Sequence, residues 1–244
     1  MKLCWNIICK GIIIKDMQKR HFAVFALFLY FVCFVNGIER PFFTTLGTRD
    51  GLPNSAVSAI GQDAKGFLWL GTQAGLVRYD GYSYTLYENE LFQDNVLSHN
   101  QVQTLYLDGD VLWIGTYGGL NRLDLKTNRL KSYIKDTKNP DSLRDNLVVS
   151  IARDAQGRLW VGTAQGLDRM DEQKETFIHY GPDASGGGLP SIMIRDLHLD
   201  SQGRFWIATS GKGLYLYEAE KDAFIPLPVD QQNSQALPSP YVMS

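Results

Sequence analysis

Residues 67–80 read FLWLGTQAGLVRYD, and the phrase returns as VLWIGTYGGLNRLD at 111–124, RLWVGTAQGLDRMD at 158–171 and RFWIATSGKGLYLYE at 204–218. Each copy centres on a tryptophan, Trp69, Trp113, Trp160 and Trp206, at spacings of 44, 47 and 46 residues. A fixed period of this length marks stacked structural repeats. Upstream of three copies stands a turn of the form Asp-x-x-Gly, DAKG at 63–66, DAQG at 154–157 and DSQG at 200–203. The second copy shortens it to Asp108-Gly109-Asp110.

The punctuation of the first unit predicts four strands. Residues 57–63 form a short run closed by the Asp-to-Gly turn, which suits a type I turn with a bulge. Residues 67–72 form a second strand, and the Thr-x-x-Gly step at 72–75 reverses the chain, with glycine supplying a left-handed conformation. Residues 76–79 and 84–87 form the third and fourth strands around Asp80-Gly81. An antiparallel meander of about 45 residues is the size of one propeller blade.

The second strand indicates how the units stack. A strand with one wet face alternates apolar and polar residues, yet Phe67-Leu68-Trp69-Leu70 is apolar throughout. Both of its faces must be covered, as when each blade is sandwiched between neighbours. The tryptophans are therefore core, filling the gaps between blades, and the glycines that follow (Gly71, Gly115, Gly162) let a neighbouring backbone come close; the fourth unit has Ala208 instead.

The fold class expected is all-β, a partial β-propeller of four four-stranded antiparallel blades at about 55–90, 98–136, 142–181 and 189–228. An amino-terminal outer strand at 42–46 (FFTTL) is expected to complete a last blade, and LPSPYVMS at 237–244 matches the opening LPNSAVSAI at 52–60, the start of a fifth blade. The propeller region is placed at 38–244 and read as incomplete.

Residues 1–37 read as an extension and a signal peptide. Lys19, Arg20 and His21 precede the 14-residue apolar run 22–35, then Asn36-Gly37, a basic region, an apolar region and a cleavage site in order. The run is shorter than the roughly 20 residues of a membrane-crossing helix. Met17 is expected to be the true start and Gly37 the cleavage point. Cys4, Cys9 and Cys33 all lie in this segment, so the mature chain is expected to carry no disulfide or thiolate site.

The chemistry of the remainder points to binding. The formal net charge is −2, which gives no footprint for nucleic acid. No metal-ligand spacing, phosphate loop or nucleophile elbow occurs, so no catalytic residue, metal or cofactor is expected. The histidines His21, His99, His179 and His198 read as surface or satisfied side chains, the turn aspartates as caps of local amides, and residues 185–188 as a loop. Loops joining strand two to strand three, and strand four to the next strand one, emerge on one rim, where function concentrates on a rigid scaffold. The first set offers Gln73, Tyr117, Gln165 and Lys212, the second Arg49, His99 and Arg144. They suit an oligosaccharide or another small polar ligand.

The phrase W-[IVL]-G-T-x-x-G-L-x-R-x-D, together with residues 51–81, resembles the two-component regulator propeller repeat over about residues 42–244. The resemblance implies a periplasmic sensor region, exported by a signal peptide, of a protein whose output is a histidine kinase or a diguanylate cyclase. It implies two consecutive seven-bladed propellers, so the partners of this fragment are the remaining blades of its own full-length chain. A non-sensing protein-interaction propeller, including one that controls homodimerisation, is the alternative.

Overall fold

The computed structural model describes residues 43–90, 93, 95–181, 188–190, 193–230 and 236–242. The leader with its cysteines, and residues 185–187 of the expected loop, lie outside these residues. Residues 1–45 and 46–244 are separate units, and 43–45, the described part of the first, carry no strand.

The second unit contains four sheets. They are β1 (Val57–Gln62), β2 (Leu68–Thr72), β3 (Gly75–Tyr79) and β4 (Tyr84–Tyr87); β5 (Val102–Asp108), β6 (Val111–Thr116), β7 (Gly119–Asp124) and β8 (Arg129–Tyr133); β9 (Val148–Arg153), β10 (Leu159–Thr163), β11 (Gly166–Asp171) and β12 (Thr176–Tyr180); β13 (Ile194–Leu199), β14 (Phe205–Thr209), β15 (Gly213–Glu218) and β16 (Ala223–Pro226). Each sheet is an antiparallel meander in sequence order, and β1, β5, β9 and β13 pack side by side as the innermost strands. The fold is all-β, a partial propeller of four blades.

The tryptophans occupy the gaps between blades. Trp69, Trp113 and Trp160 are 2%, 1% and 0% exposed. Trp69 packs with Leu97, Val102, Leu112, Ile114 and Leu123 of the second blade, and Trp113 with Val148, Ile151, Val161 and Phe177 of the third. Trp160 packs with Ile194, Leu197, Phe205, Ile207 and Phe224 of the fourth. Burying an indole of roughly 200 Å² is worth about 5 kcal/mol. Trp206, with no blade described beyond it, is only partly buried.

The turn aspartates serve these indoles as well as their own loops. Asp154 Oδ1 accepts the Gln156 and Arg158 amides at 3.0 Å each, while Oδ2 accepts Trp160 Nε1 at 2.7 Å and Arg158 Nε at 2.6 Å. Asp63 and Asp200 likewise accept Trp69 and Trp206 Nε1 at 2.9 Å. The shortened turn of the second blade breaks this pattern: Asp108 pairs instead with Arg153 of the next blade at 2.5 Å. Trp113 Nε1 is consequently a buried donor without a partner.

A second lock repeats at the outer edge. The hydroxyls of Tyr87, Tyr133 and Tyr180, each ending a fourth strand, donate to Asn128, Glu175 and Asp222 of the following blade at 2.8, 3.3 and 2.9 Å. Those acceptors all hold positive φ in the turn between strands three and four.

Residues 43–47 form no strand among the described sheets; the last blade that the amino-terminal outer strand is expected to complete is not among them. Two expectations are corrected. The glycines after the tryptophans admit a neighbouring side chain rather than backbone: a Cβ on Gly71, Gly115 or Gly162 would lie 2.7, 2.6 and 2.7 Å from side-chain carbons of Val102, Val148 and Ile194. The Thr-x-x-Gly glycine departs from the left-handed helical region in the first three blades, Gly75 having φ +138°, and its missing Cβ clears the Tyr87 carbonyl.

Candidate functional site

The loops between strands two and three are rigid supports. Thr72, Thr116, Thr163 and Thr209 are fully buried, and each donates its hydroxyl to the carbonyl of the glycine opening strand three, at 2.8, 3.0, 2.9 and 2.7 Å. In the first three blades the same oxygen accepts an amide of the loop, from Ala74, Gly118 or Gln165. The intervening residues are pushed outward, so Gln73, Gln165 and Lys212 are exposed and Tyr117 is 43% exposed.

The segments leading into each blade lie against these loops. Each begins with a buried leucine, Leu52, Leu97, Leu143 or Leu189, which anchors the polar residues near it. His99 and Tyr117 come together, with ring centroids 6.1 Å apart, and His99 Nδ1 accepts the Gln101 amide at 2.9 Å. Arg144 lies over Gly166, its Cδ 3.2 Å from where a Cβ would be. Arg49 sits exposed in a 3-10 turn, Thr48–Asp50. Of the seven residues, His99 and Tyr117 are brought together, while Gln73, Gln165, Lys212, Arg49 and Arg144 stand on separate segments.

Between the first two blades, Gln73 joins Ala56, Val57, Ser58, Gln101, Val102 and Gln103 around a recess of about 240 Å³. Its polar groups are amides and a hydroxyl, with no charge. Ser58 Oγ is held by the carbonyls of Gly71 and Val102 at 3.0 and 2.7 Å. Gln101 and Gln103 were missed in the sequence because only the packing of the second blade beside the first brings them to Gln73.

Two buried polar residues were also missed. Asn121 and Asp168 occupy the position after Gly-Leu in the third strand, are both fully buried, and hold the leading segments through the Ser98 and Arg144 amides at 2.8 Å each. The visible signal was a polar residue where the first and fourth units carry Val77 and Tyr215. His179 is satisfied by Asp168 and by the Pro140 carbonyl. The hydrogen bond that its ring donates to Asp168 holds the His179 pKa above the ordinary value, against burial and the nearby Arg144.

Among the described residues, no three His, Cys, Asp or Glu side chains are placed to hold a metal ion, and no helix is long and apolar enough to cross a membrane.

Segments 51–74, 142–165 and 188–211 match the family model described as two component regulator propeller. Each runs from a leading segment through strands one and two to the buried threonine and the loop after it. Three segments of this chain match the two-component regulator propeller repeat. The regulator repeat of the second blade falls outside the matched segments, and that is the blade whose Asp-to-Gly turn is shortened.

Among solved structures, the extracellular domain of BT3049 from B. thetaiotaomicron, assigned to a hybrid two component system, is 26% identical with a TM-score of 0.60, over 75% of this chain and 31% of that one. Virginiamycin B lyase from Staphylococcus aureus is 16% identical with a TM-score of 0.52, over 71% and 56% of the two chains. The computationally designed Ika4 protein is 13% identical with a TM-score of 0.50, over 72% and 98%. The last two share the fold. The repeat chain spans under a third of the BT3049 domain's length, and no curated protein matches it in sequence.

Proposed function

We propose that this chain is part of the extracytoplasmic, ligand-binding sensor propeller of a transmembrane signalling protein of the two-component type, whose output domain lies outside the chain. The observation that carries the reading is the repeat itself, together with its likeness to the extracellular domain of BT3049. The rim supports a binding role. Buried threonines brace the loops from beneath, so polar and aromatic side chains project from a scaffold that need not rearrange to meet a ligand.

The ligand class favoured is a small polar molecule such as an oligosaccharide. The recess around Gln73, Gln101 and Gln103 offers amide donors and acceptors, and the His99–Tyr117 pair offers a ring face. Binding is favoured over catalysis because the turn carboxylates are spent: Asp63, Asp154 and Asp200 are each occupied by two backbone amides and an indole.

The experiment is a thermal-shift and calorimetric screen of the complete sensor region against oligosaccharides, followed by the signalling output of the full-length protein. Tyr117→Ala combined with Lys212→Ala, and separately Gln101→Ala, are expected to weaken an identified ligand at least tenfold and shift the output's half-maximal concentration equally. Unchanged binding and signalling in both variants would remove the rim from the account.

A further inference from the structure

The connection from β8 to β9, residues 134–147, is held to the third blade by a cluster of Asp168, Arg144 and His179. Asp168 on β11 is fully buried. Its Oδ2 accepts the Arg144 amide at 2.8 Å, and its Oδ1 accepts Arg144 Nε at 3.4 Å. The same Oδ1 lies 2.7 Å from Nδ1 of His179, the cross-strand partner of Asp168 on β12. The other ring nitrogen, Nε2, lies 2.8 Å from the Pro140 carbonyl. The Phe177 amide donates to the Asp141 carbonyl at 2.8 Å along the same seam.

The partners decide the protonation of the ring. An ionised carboxylate and a peptide carbonyl both accept and neither donates. Two such contacts are satisfied together only when both ring nitrogens carry hydrogen, which is the imidazolium form. A neutral ring keeps one N–H, which the stronger acceptor Asp168 retains, and sets the Nε2 lone pair against the Pro140 oxygen. The charged groups facing the ring are Asp168 from β11 and Arg144 from the connection.

The second blade builds the same joint without charge. Asn121 stands in the place of Asp168, and its Oδ1 accepts the Ser98 amide at 2.8 Å and the hydroxyl of its cross-strand partner Ser132 at 2.8 Å. Neither Asn121 nor Ser132, the counterparts of Asp168 and His179, titrates near neutrality. One molecule therefore contains an ionisable joint and its neutral counterpart, one repeat apart.

We infer that His179 is a pH-controlled latch: as imidazolium it clasps the 134–147 connection to the third blade, and on losing the Nε2 proton it releases the Pro140 end. The Asp168 hydrogen bond raises the ring's pKa from its ordinary 6.5. The clasp is accordingly complete below the ordinary value and is lost as pH rises through the folded-state value. Arg144 belongs to the candidate rim, but the latch is a property of the fold whether or not a ligand binds there.

The test is amide hydrogen exchange on the full chain, corrected for intrinsic base catalysis, with ring-nitrogen NMR of His179, between about pH 5 and pH 8. Both ring nitrogens are expected to carry hydrogen at the acid end. The opening constants of the Arg144 and Phe177 amides are expected to rise about tenfold or more across the titration, as for the loss of one charge-assisted bond, while that of Ser98 stays level. Asp168→Asn with His179→Ser, the pair taken from the second blade, is expected to abolish the dependence. The inference is overturned by a ring with one N–H throughout, by a level profile at Arg144 and Phe177, or by the same slope in the double variant. The ring measurement on the unaltered chain decides the matter even if that variant does not fold.

Discussion

Gly162→Ala is the substitution that most sharply probes the packing of one blade on the next. A methyl group there would lie 2.7 Å from Cγ2 and 3.0 Å from Cβ of Ile194, on the innermost strand of the fourth blade. Ordinary contact begins near 3.5 Å, so about 0.8 Å must be recovered by movement. Ile194 is fully buried and stiff at χ1, and the glycine sits inside a hydrogen-bonded strand. Overpacking of this kind costs about 1–3 kcal/mol, which for a domain of this size lowers Tm by about 2–12 °C. Ile194→Ala removes the opposing methyl and should rescue part of the loss, giving a coupling energy of at least about 1 kcal/mol in a double-mutant cycle. The assay is urea and thermal denaturation of the four variants. A Gly162→Ala change within about 0.5 kcal/mol of the parent, or strict additivity with Ile194→Ala, would refute the interlocking of these two blades.

Trp160→Phe should cost more than Trp113→Phe by about 1–3 kcal/mol, since only the former strips a hydrogen bond, leaving Asp154, whose side chain is 1% exposed, with an unpaired lone pair; paired denaturation curves measure the difference. Tyr180→Phe should destabilise by about 1 kcal/mol and increase exchange of the amides flanking Asp222, because the hydroxyl that ties the third blade to the fourth is gone. Asp200 has its pKa held well below the usual carboxylate value, chiefly by the Trp206 indole and then by the Arg204 and Gln202 amides. Its stabilising effect is therefore full above the unfolded value and fades as pH falls through the depressed one, so Asp200→Asn should flatten the acid limb of a stability–pH curve.

Much of the fold was legible because the repeat writes its own packing. Apolar residues on both faces of residues 67–70 demanded cover on two sides, and three of the four tryptophans receive it. The ties that need register were not legible. Asp63 and Trp69, Asp154 and Trp160, and Asp200 and Trp206 share one spacing, yet the sequence does not say that the carboxylate reaches the indole. The deletion that orphans Trp113 was visible only as a shortened turn. The pairing of Asp168 with His179 depends on a cross-strand neighbour, and the three glutamines of the recess meet only when two blades are laid side by side. Residues 43–46 resemble an outer strand by composition, and the blade such a strand would complete is not among those described. Of the candidate rim, exposure followed from loop position, whereas convergence did not, since the bend between blades sets it.

Indole N–H exchange, followed by NMR on the full chain, tests the stacked-wedge account most directly. The account predicts strong protection for the indoles of Trp69, Trp113 and Trp160, each covered by the next blade, and weaker protection for Trp206 on the face where no blade is described. Trp113 is the critical signal, because no hydrogen bond shields it and only burial between blades can slow its exchange. Exchange at Trp113 and Trp160 as fast as that of a free indole would contradict the account.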